Sequence, residues 1–336
     1  MRPRSGWSKG NLMLIDKYID YVRTVRRYTP RTVEGYRRVL SEFVEAACAD
    51  ASDEALLRAM SPVGIRNYEV HLLEERRLSP RTVNLHLSVL SGLARYLLKE
   101  GLLKDNPVHT VRRPKMRKRL PEFYRFESME QYLADTASAA DADNLALLRG
   151  DDPLSRELLT RRLERLIVVL LYQTGIRRSE LISLNVNAVD AGRGVLHVLG
   201  KGDKMREIPL IPSLYQEISL YLRATVLVTG VEKKPEDPLL TTLRGGRLYP
   251  VYVDRAVKRQ LGGVPSITGR RSPHVLRHTL ATELLNDGAD LSSIKELLGH
   301  SSLAATQVYT HNTVEKLKSV YVNAHPRAKR GGKNGD

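Results

Sequence analysis

Apolar residues recur at helical spacing through much of the 336-residue chain. Val33, Tyr36, Val39, Leu40 and Phe43 trace one face behind Thr29-Pro30-Arg31-Thr32. Val83, Leu87, Leu90, Leu93, Leu97 and Leu98 do the same behind Ser79-Pro80-Arg81-Thr82, fifty residues later. Each opening puts a hydroxyl at the N-cap and proline at the first helical position, where its missing N–H costs nothing. Gly101 stops the second helix and Asn106-Pro107 starts an exit. The pattern predicts a unit of four or five helices over 12–107.

Six basic residues in the eight from Arg112 to Arg119, broken by Pro114 and followed by Pro121, read as a linker. The expected division is therefore 1–111, a linker at 112–121, and a second domain at 122–336. Residues 136–159, rich in Ala, Asp and Ser and carrying Gly150-Asp151-Asp152-Pro153, read as a surface insertion. A buried helix is expected from about Thr160 to Gln173, capped by Gly175, and a short one from about Ser179 to Leu184. Val195–Leu199 and Met205–Pro209 alternate around Gly200-Lys201-Gly202-Asp203, a hairpin pattern. Helices follow at roughly 211–228, 250–260, 273–286, 291–298, 302–309 and 313–323. The fold class is mainly α, with a small antiparallel β-sheet.

Composition narrows the functional classes. Hydrophobic residues make up 42%, enough for a real core, and the single cysteine, Cys48, excludes an intramolecular disulfide framework. No apolar run approaches the ~20 residues a membrane helix needs, and no signal-type segment opens the chain, so a cytoplasmic protein is expected. Lys and Arg number 54 against 38 Asp and Glu, a net charge of +16. The excess lies in 1–120 and from 166 onward, while 121–165 is net acidic. Such an excess fits a polyanion, with nucleic acid the default; solubility alone is the plainer explanation.

The candidate chemistry is spread over five short segments. Ser272-Pro273-His274-Val275-Leu276-Arg277 opens a helix with a serine cap, His274 and Arg277 sharing a face near the positive end of the dipole. Arg177 follows Thr174-Gly175-Ile176 just past the buried helix, and Lys201 sits on the hairpin tip. His300 follows Leu298-Gly299, and Tyr309 comes nine residues later. Together they offer two guanidiniums for one phosphodiester, a lysine to protonate a leaving oxygen, histidines for proton transfer and a phenol nucleophile. Singly, each is more simply a turn, packing or surface residue; the ordered set of six is specific. Leu280–Tyr309, with its Asn286-Asp287-Gly288 turn, also mimics a helix-turn-helix, which keeps a non-catalytic DNA-binding regulator in play.

These segments make the chain resemble the tyrosine recombinase (phage integrase) family, Xer type. The matching motifs are Thr174–Leu181, Gly200–Lys204, His274–His278, Leu298–His300 and Tyr309, with a XerC-like ending at Val320–Arg330. The resemblance implies a helical core-binding (SAM-like) domain followed by an α-rich catalytic domain. It implies a catalytic set of Arg177, Lys201, His274, Arg277, His300 and the nucleophile Tyr309, without cofactor or metal. Double-stranded DNA with specific recombination sites would be bound by a tetramer, or by a heterotetramer with a second, XerD-like recombinase; no membrane is involved. A type IB topoisomerase-like relaxing enzyme would share the chemistry. Arg178 stands where the family has an apolar residue; Arg177 is preferred because it directly follows Thr-Gly-Ile. Val264–Arg271, which carries Gly269 and the pair Arg270-Arg271, reads as a mobile DNA-facing loop.

Overall fold

The described part of the chain, residues 12–116, 122–200 and 203–299 of a computed structural model, contains twelve α-helices, several short 3-10 or π turns and one small sheet. The chain divides into two compact units, 1–119 and 120–336.

The first unit contains α1 (Met13–Thr24), α2 (Pro30–Ala47), α3 (Asp53–Ala59), α4 (Pro62–Val70) and α5 (Pro80–Lys99). Both hydroxyl–proline openings form as expected: Thr29 accepts from Thr32 N, and Ser79 from Thr82 N. Each is preceded by an arginine in the left-handed region, Arg27 and Arg77, so the repeat extends to the turn itself. The apolar stripes converge, with Ile15, Ile19, Leu40, Phe43, Leu56, Ile65, Leu87, Leu90 and Leu93 sharing one core. The basic run does not begin as a free linker. Arg113 Nη1 donates to Ser88 Oγ (2.9 Å), and Asn84 Nδ2 donates to Pro114 O (3.0 Å), laying 113–114 along α5.

The second unit is built around α7 (Pro153–Thr174), whose last thirteen residues are buried on every side, as for a helix surrounded by others. Around it lie α6 (Phe126–Asp135), α8 (Arg178–Ser183), α9 (Pro212–Thr229), α10 (Pro250–Gly262), α11 (Pro273–Asn286) and α12 (Leu291–Leu298). The hairpin forms over the predicted residues, β2 (Val195–Leu199) with β3 (Met205–Pro209). A third strand, β1 (Val189–Asp190), pairs antiparallel with β2. In β2–β3 register, Val198 faces Arg206.

Three expectations change here. The buried helix starts at Pro153 rather than Thr160, because Asp152 accepts from Leu154 N and Ser155 N and so caps it. Residues 136–152 are not a loose surface decoration either. Leu145 and Leu148 join the core, and Arg162 Nη2 donates to Asp141 O (2.6 Å). Nor is 264–271 a free loop: Val264 and Ile267 are buried, and Tyr124 Oη donates to Arg270 O (2.8 Å). The helices expected at 302–309 and 313–323 lie outside the described residues. Among the described residues no helix is long and apolar enough to cross a membrane.

Candidate active site

Where α7 ends, Gly175 takes a left-handed conformation (φ +62°) that turns the chain sharply toward Arg177. A side chain here would be doubly excluded, since a Cβ would lie 2.6 Å from Leu298 Cδ2 and 2.9 Å from Leu280 Cδ2. This close approach packs the end of α7 against α11 and α12. Ile176 is fully buried and anchors the turn, so Arg177 leaves it at the start of α8.

The C-terminal end of α12 collects three arginines on three successive carbonyls. Arg206 Nε donates to Leu297 O (3.1 Å), Arg277 Nη2 to Leu298 O, and Arg177 Nη2 to Gly299 O (3.0 Å). Helix-end carbonyls lack intrahelical partners and carry the negative pole of the dipole, so cations belong there. Arg277 Nη1 also donates to Gly175 O. One carboxylate, Glu180, balances the cluster. It accepts from Arg177 N (2.8 Å) and Nη1 (2.7 Å), and from Arg206 Nη1 (3.1 Å) and Nη2 (2.7 Å).

Electrostatics follow from this crowding. Arg277, 7% exposed, is pushed down to about 10 by burial and then by Arg177. Burial pushes the Glu180 carboxyl up, but hydrogen bonds from Arg206 and Arg177 outweigh it and leave it below the usual range. His274 lies exposed on the first turn of α11 and is held below its ordinary value. Desolvation of the ring is the main cause, followed by Arg178, His278, Arg270 and Arg277. The expected serine cap is not made: Ser272 gives no side-chain hydrogen bond to α11, although Pro273 opens it. Arg178 turns away from the cluster to pair with Asp254 of α10.

The structure thus brings Arg177 and Arg277 together at the end of α12 and places His274 one turn before Arg277. Lys201, His300 and Tyr309 lie outside the described residues; Lys201 follows Gly200 of the hairpin and His300 follows Gly299 in sequence. Glu180 and Arg206 were missed by the motif reading. Glu180 stands three residues after an N-terminal cap position, the capping-box spacing, but arginine rather than Ser or Thr precedes it. Arg206 sits between Met205 and Glu207 at an inward strand position, where a charge implies a buried partner. Among the described residues no group of three or more His, Cys, Asp or Glu gathers to hold a metal ion.

Comparison with known proteins agrees with this architecture. The sequence model of the Phage integrase family matches residues 127–316, and that of the phage integrase N-terminal SAM-like domain matches 14–103. The tyrosine recombinase XerC of Chlorobaculum parvum is 34% identical over 94% of this chain and 94% of its own length. That of Bacillus subtilis is 33% identical over 93% and 95%. The Tn1549 transposon integrase, solved in complex with transposon right end DNA, superposes with a TM-score of 0.62 at 17% identity, covering 91% of this chain and 98% of that one. The XerH recombinase bound to difH substrate gives 0.59 at 20% identity, covering 91% and 84%. At these identities the structural likeness speaks for the fold. The family match over more than half the chain, with relatives above 30% identity along nearly all of it, places the chain in the phage integrase family of tyrosine recombinases, enzymes that cleave and rejoin DNA at specific sites.

Proposed function

We propose that Arg177 and Arg277 clamp the scissile phosphate of a recombination site while Tyr309 attacks it. The observation that carries this reading is the convergence of both guanidiniums on Leu298 O and Gly299 O, the carbonyls immediately before His300 in sequence. A phosphodiester resists nucleophiles because of its own negative charge. Two guanidiniums held in place beforehand stabilise the charge that grows in the pentavalent transition state. Tyr309 Oη forms the new bond to phosphorus and the P–O5′ bond breaks, leaving a 3′-phosphotyrosyl link and a 5′-hydroxyl. His274, held below its ordinary value by desolvation of its ring and by the neighbouring cations, takes the phenolic proton; Lys201 gives a proton to the departing O5′; His300 donates a hydrogen bond to the phosphate. The phosphoester energy stays in the covalent link, so a partner strand's 5′-hydroxyl can religate without ATP.

Exchange of two strand pairs through a Holliday junction requires paired double-stranded sites and a tetramer, which a second, XerD-like recombinase could complete as a heterotetramer in the cytoplasm. Incubation with a labelled nicked suicide duplex tests this reading. Peptide mapping should place the label on a peptide containing Tyr309, and two sites on one plasmid should recombine. Label on another tyrosine refutes the nucleophile, and relaxation without site exchange favours a topoisomerase-like enzyme. A DNA-binding regulator gives no adduct at all.

A further inference from the structure

Arg206 belongs to none of the six assigned positions, yet its surroundings are those of a built junction. It projects from β3 at 5% exposure, and its planar fork reaches two elements at once. Nε serves Leu297 O at the end of α12, while Nη1 and Nη2 grip both oxygens of Glu180 on α8. Two glycines make room for it. A Cβ at Gly299 would lie 3.1 Å from Arg206 Nη1 and 3.2 Å from its Cζ, and one at Gly200 3.3 Å from the same Nη1. Gly200 N in turn donates to Lys204 O (2.8 Å), closing the hairpin end. The guanidinium is therefore packed between the residues that precede Lys201 and His300 in sequence.

We propose that Arg206 is a positioning residue that ties the β2–β3 hairpin to Glu180 and to the C-terminal end of α12. The hairpin leading into Lys201, the segment leading into His300 and the backbone of Arg177 are thereby held as one preassembled unit. Lysine could not replace it, because a single ammonium cannot span Glu180 and Leu297 O with a fixed fork. The inference rests on Lys201 being the acid that protonates O5′, and the test separates the two claims.

Single-turnover cleavage is measured on two suicide duplexes, one with an ordinary phosphodiester and one with sulfur replacing the bridging O5′. A thiolate leaves without needing a proton, so it bypasses a misplaced acid. Arg206→Met should cleave the ordinary duplex about 10²-fold more slowly with unchanged DNA affinity, the scale of loss from a small misplacement of a catalytic group. On the sulfur duplex it should recover most of that loss, as should Lys201→Ala. Arg206→Lys, which keeps the charge beside Glu180, serves if the methionine variant does not fold and should show a smaller defect with the same recovery. Recovery by Lys201→Ala but not by the Arg206 variants overturns the positioning role alone. Failure of Lys201→Ala to recover overturns the acid assignment, and amide exchange then decides for Arg206. Its variants should speed exchange at Gly200 and Gly299 relative to α10; unchanged protection there refutes the tie.

Discussion

Arg206 and Glu180 meet as a bidentate ion pair in which both side chains are 5% exposed. Because Glu180 also accepts from Arg177, a single carboxylate compensates two guanidiniums beside a third. Removing one partner of a buried pair leaves an uncompensated charge and costs about 3–5 kcal/mol. Glu180→Gln should therefore lose about that much in urea unfolding at pH 7. The sign with pH follows from its lowered carboxyl. Its contribution is present above the unfolded carboxylate range and is lost as pH falls through the folded value. The gap between wild type and Glu180→Gln should shrink in acid; a constant gap would show that the charge is not what matters.

Glu283 of α11 behaves in the opposite sense. Burial pushes its carboxyl up to about 7, helped by Asp287, Glu130 and Glu127, although Tyr172 Oη donates to both of its oxygens (3.0 and 2.8 Å). Below about pH 4.5 it is protonated folded or unfolded. Between there and pH 7 the unfolded chain releases the proton first, so stability falls as pH rises, by at most about 3 kcal/mol. Glu283→Gln should gain thermal stability over wild type at pH 8 and be nearly neutral at pH 4.5. Equal midpoints at both values would refute the raised carboxyl.

Arg177 and Arg178 are sequence neighbours with different partners, Glu180 and Gly299 O for the first and Asp254 for the second. Arg177→Ala should lower cleavage by roughly 10²–10³, the usual loss of a transition-state donor. Arg178→Ala should cleave near the wild-type rate at pH 8. Since Arg178 contributes to holding His274 down, its removal should also move the acidic limb of the pH–rate profile to higher pH. Greater damage from Arg178→Ala would transfer the phosphate contact to that residue.

The segment before α7 can be tested by stability alone. Leu148 is 8% exposed within the core of the second unit. Leu148→Ala should cost about 2–5 kcal/mol in chemical denaturation, whereas a surface decoration would tolerate it within ~0.5 kcal/mol.

The sequence was most legible where local signals and burial coincide. Thr29-Pro30, Ser79-Pro80 and the alternation around Gly200 marked α2, α5 and the β2–β3 hairpin, because caps and turns are local chemistry. Asp152-Pro153 is an equally good cap signal, but the small polar residues around it masked the burial of Leu145, Leu148 and Leu159, which depends on distant partners. Arg177, after Thr174-Gly175-Ile176, and the His274–Arg277 pair, by its helical spacing, could be named as candidates. The convergence of the two arginines on the end of α12 could not be foreseen, since it depends on Gly175 fitting under Leu298 and Leu280. Arg206 was hidden for the same reason: its partners, Glu180 and Leu297, lie 26 and 91 residues away.

Charge neutralisation at the scissile phosphate is tested most directly by removing the charge from the DNA instead of the protein. A suicide duplex with a neutral methylphosphonate at the cleavage position needs no guanidinium to screen the incoming Tyr309 oxygen. Arg177→Ala and Arg277→Ala, each down by roughly 10²–10³ on the ordinary phosphodiester, should approach wild-type adduct formation on the neutral duplex, while Tyr309→Phe stays inactive on both. Arginine variants equally defective on both duplexes would contradict the clamp and leave these residues a purely structural part in the end of α12.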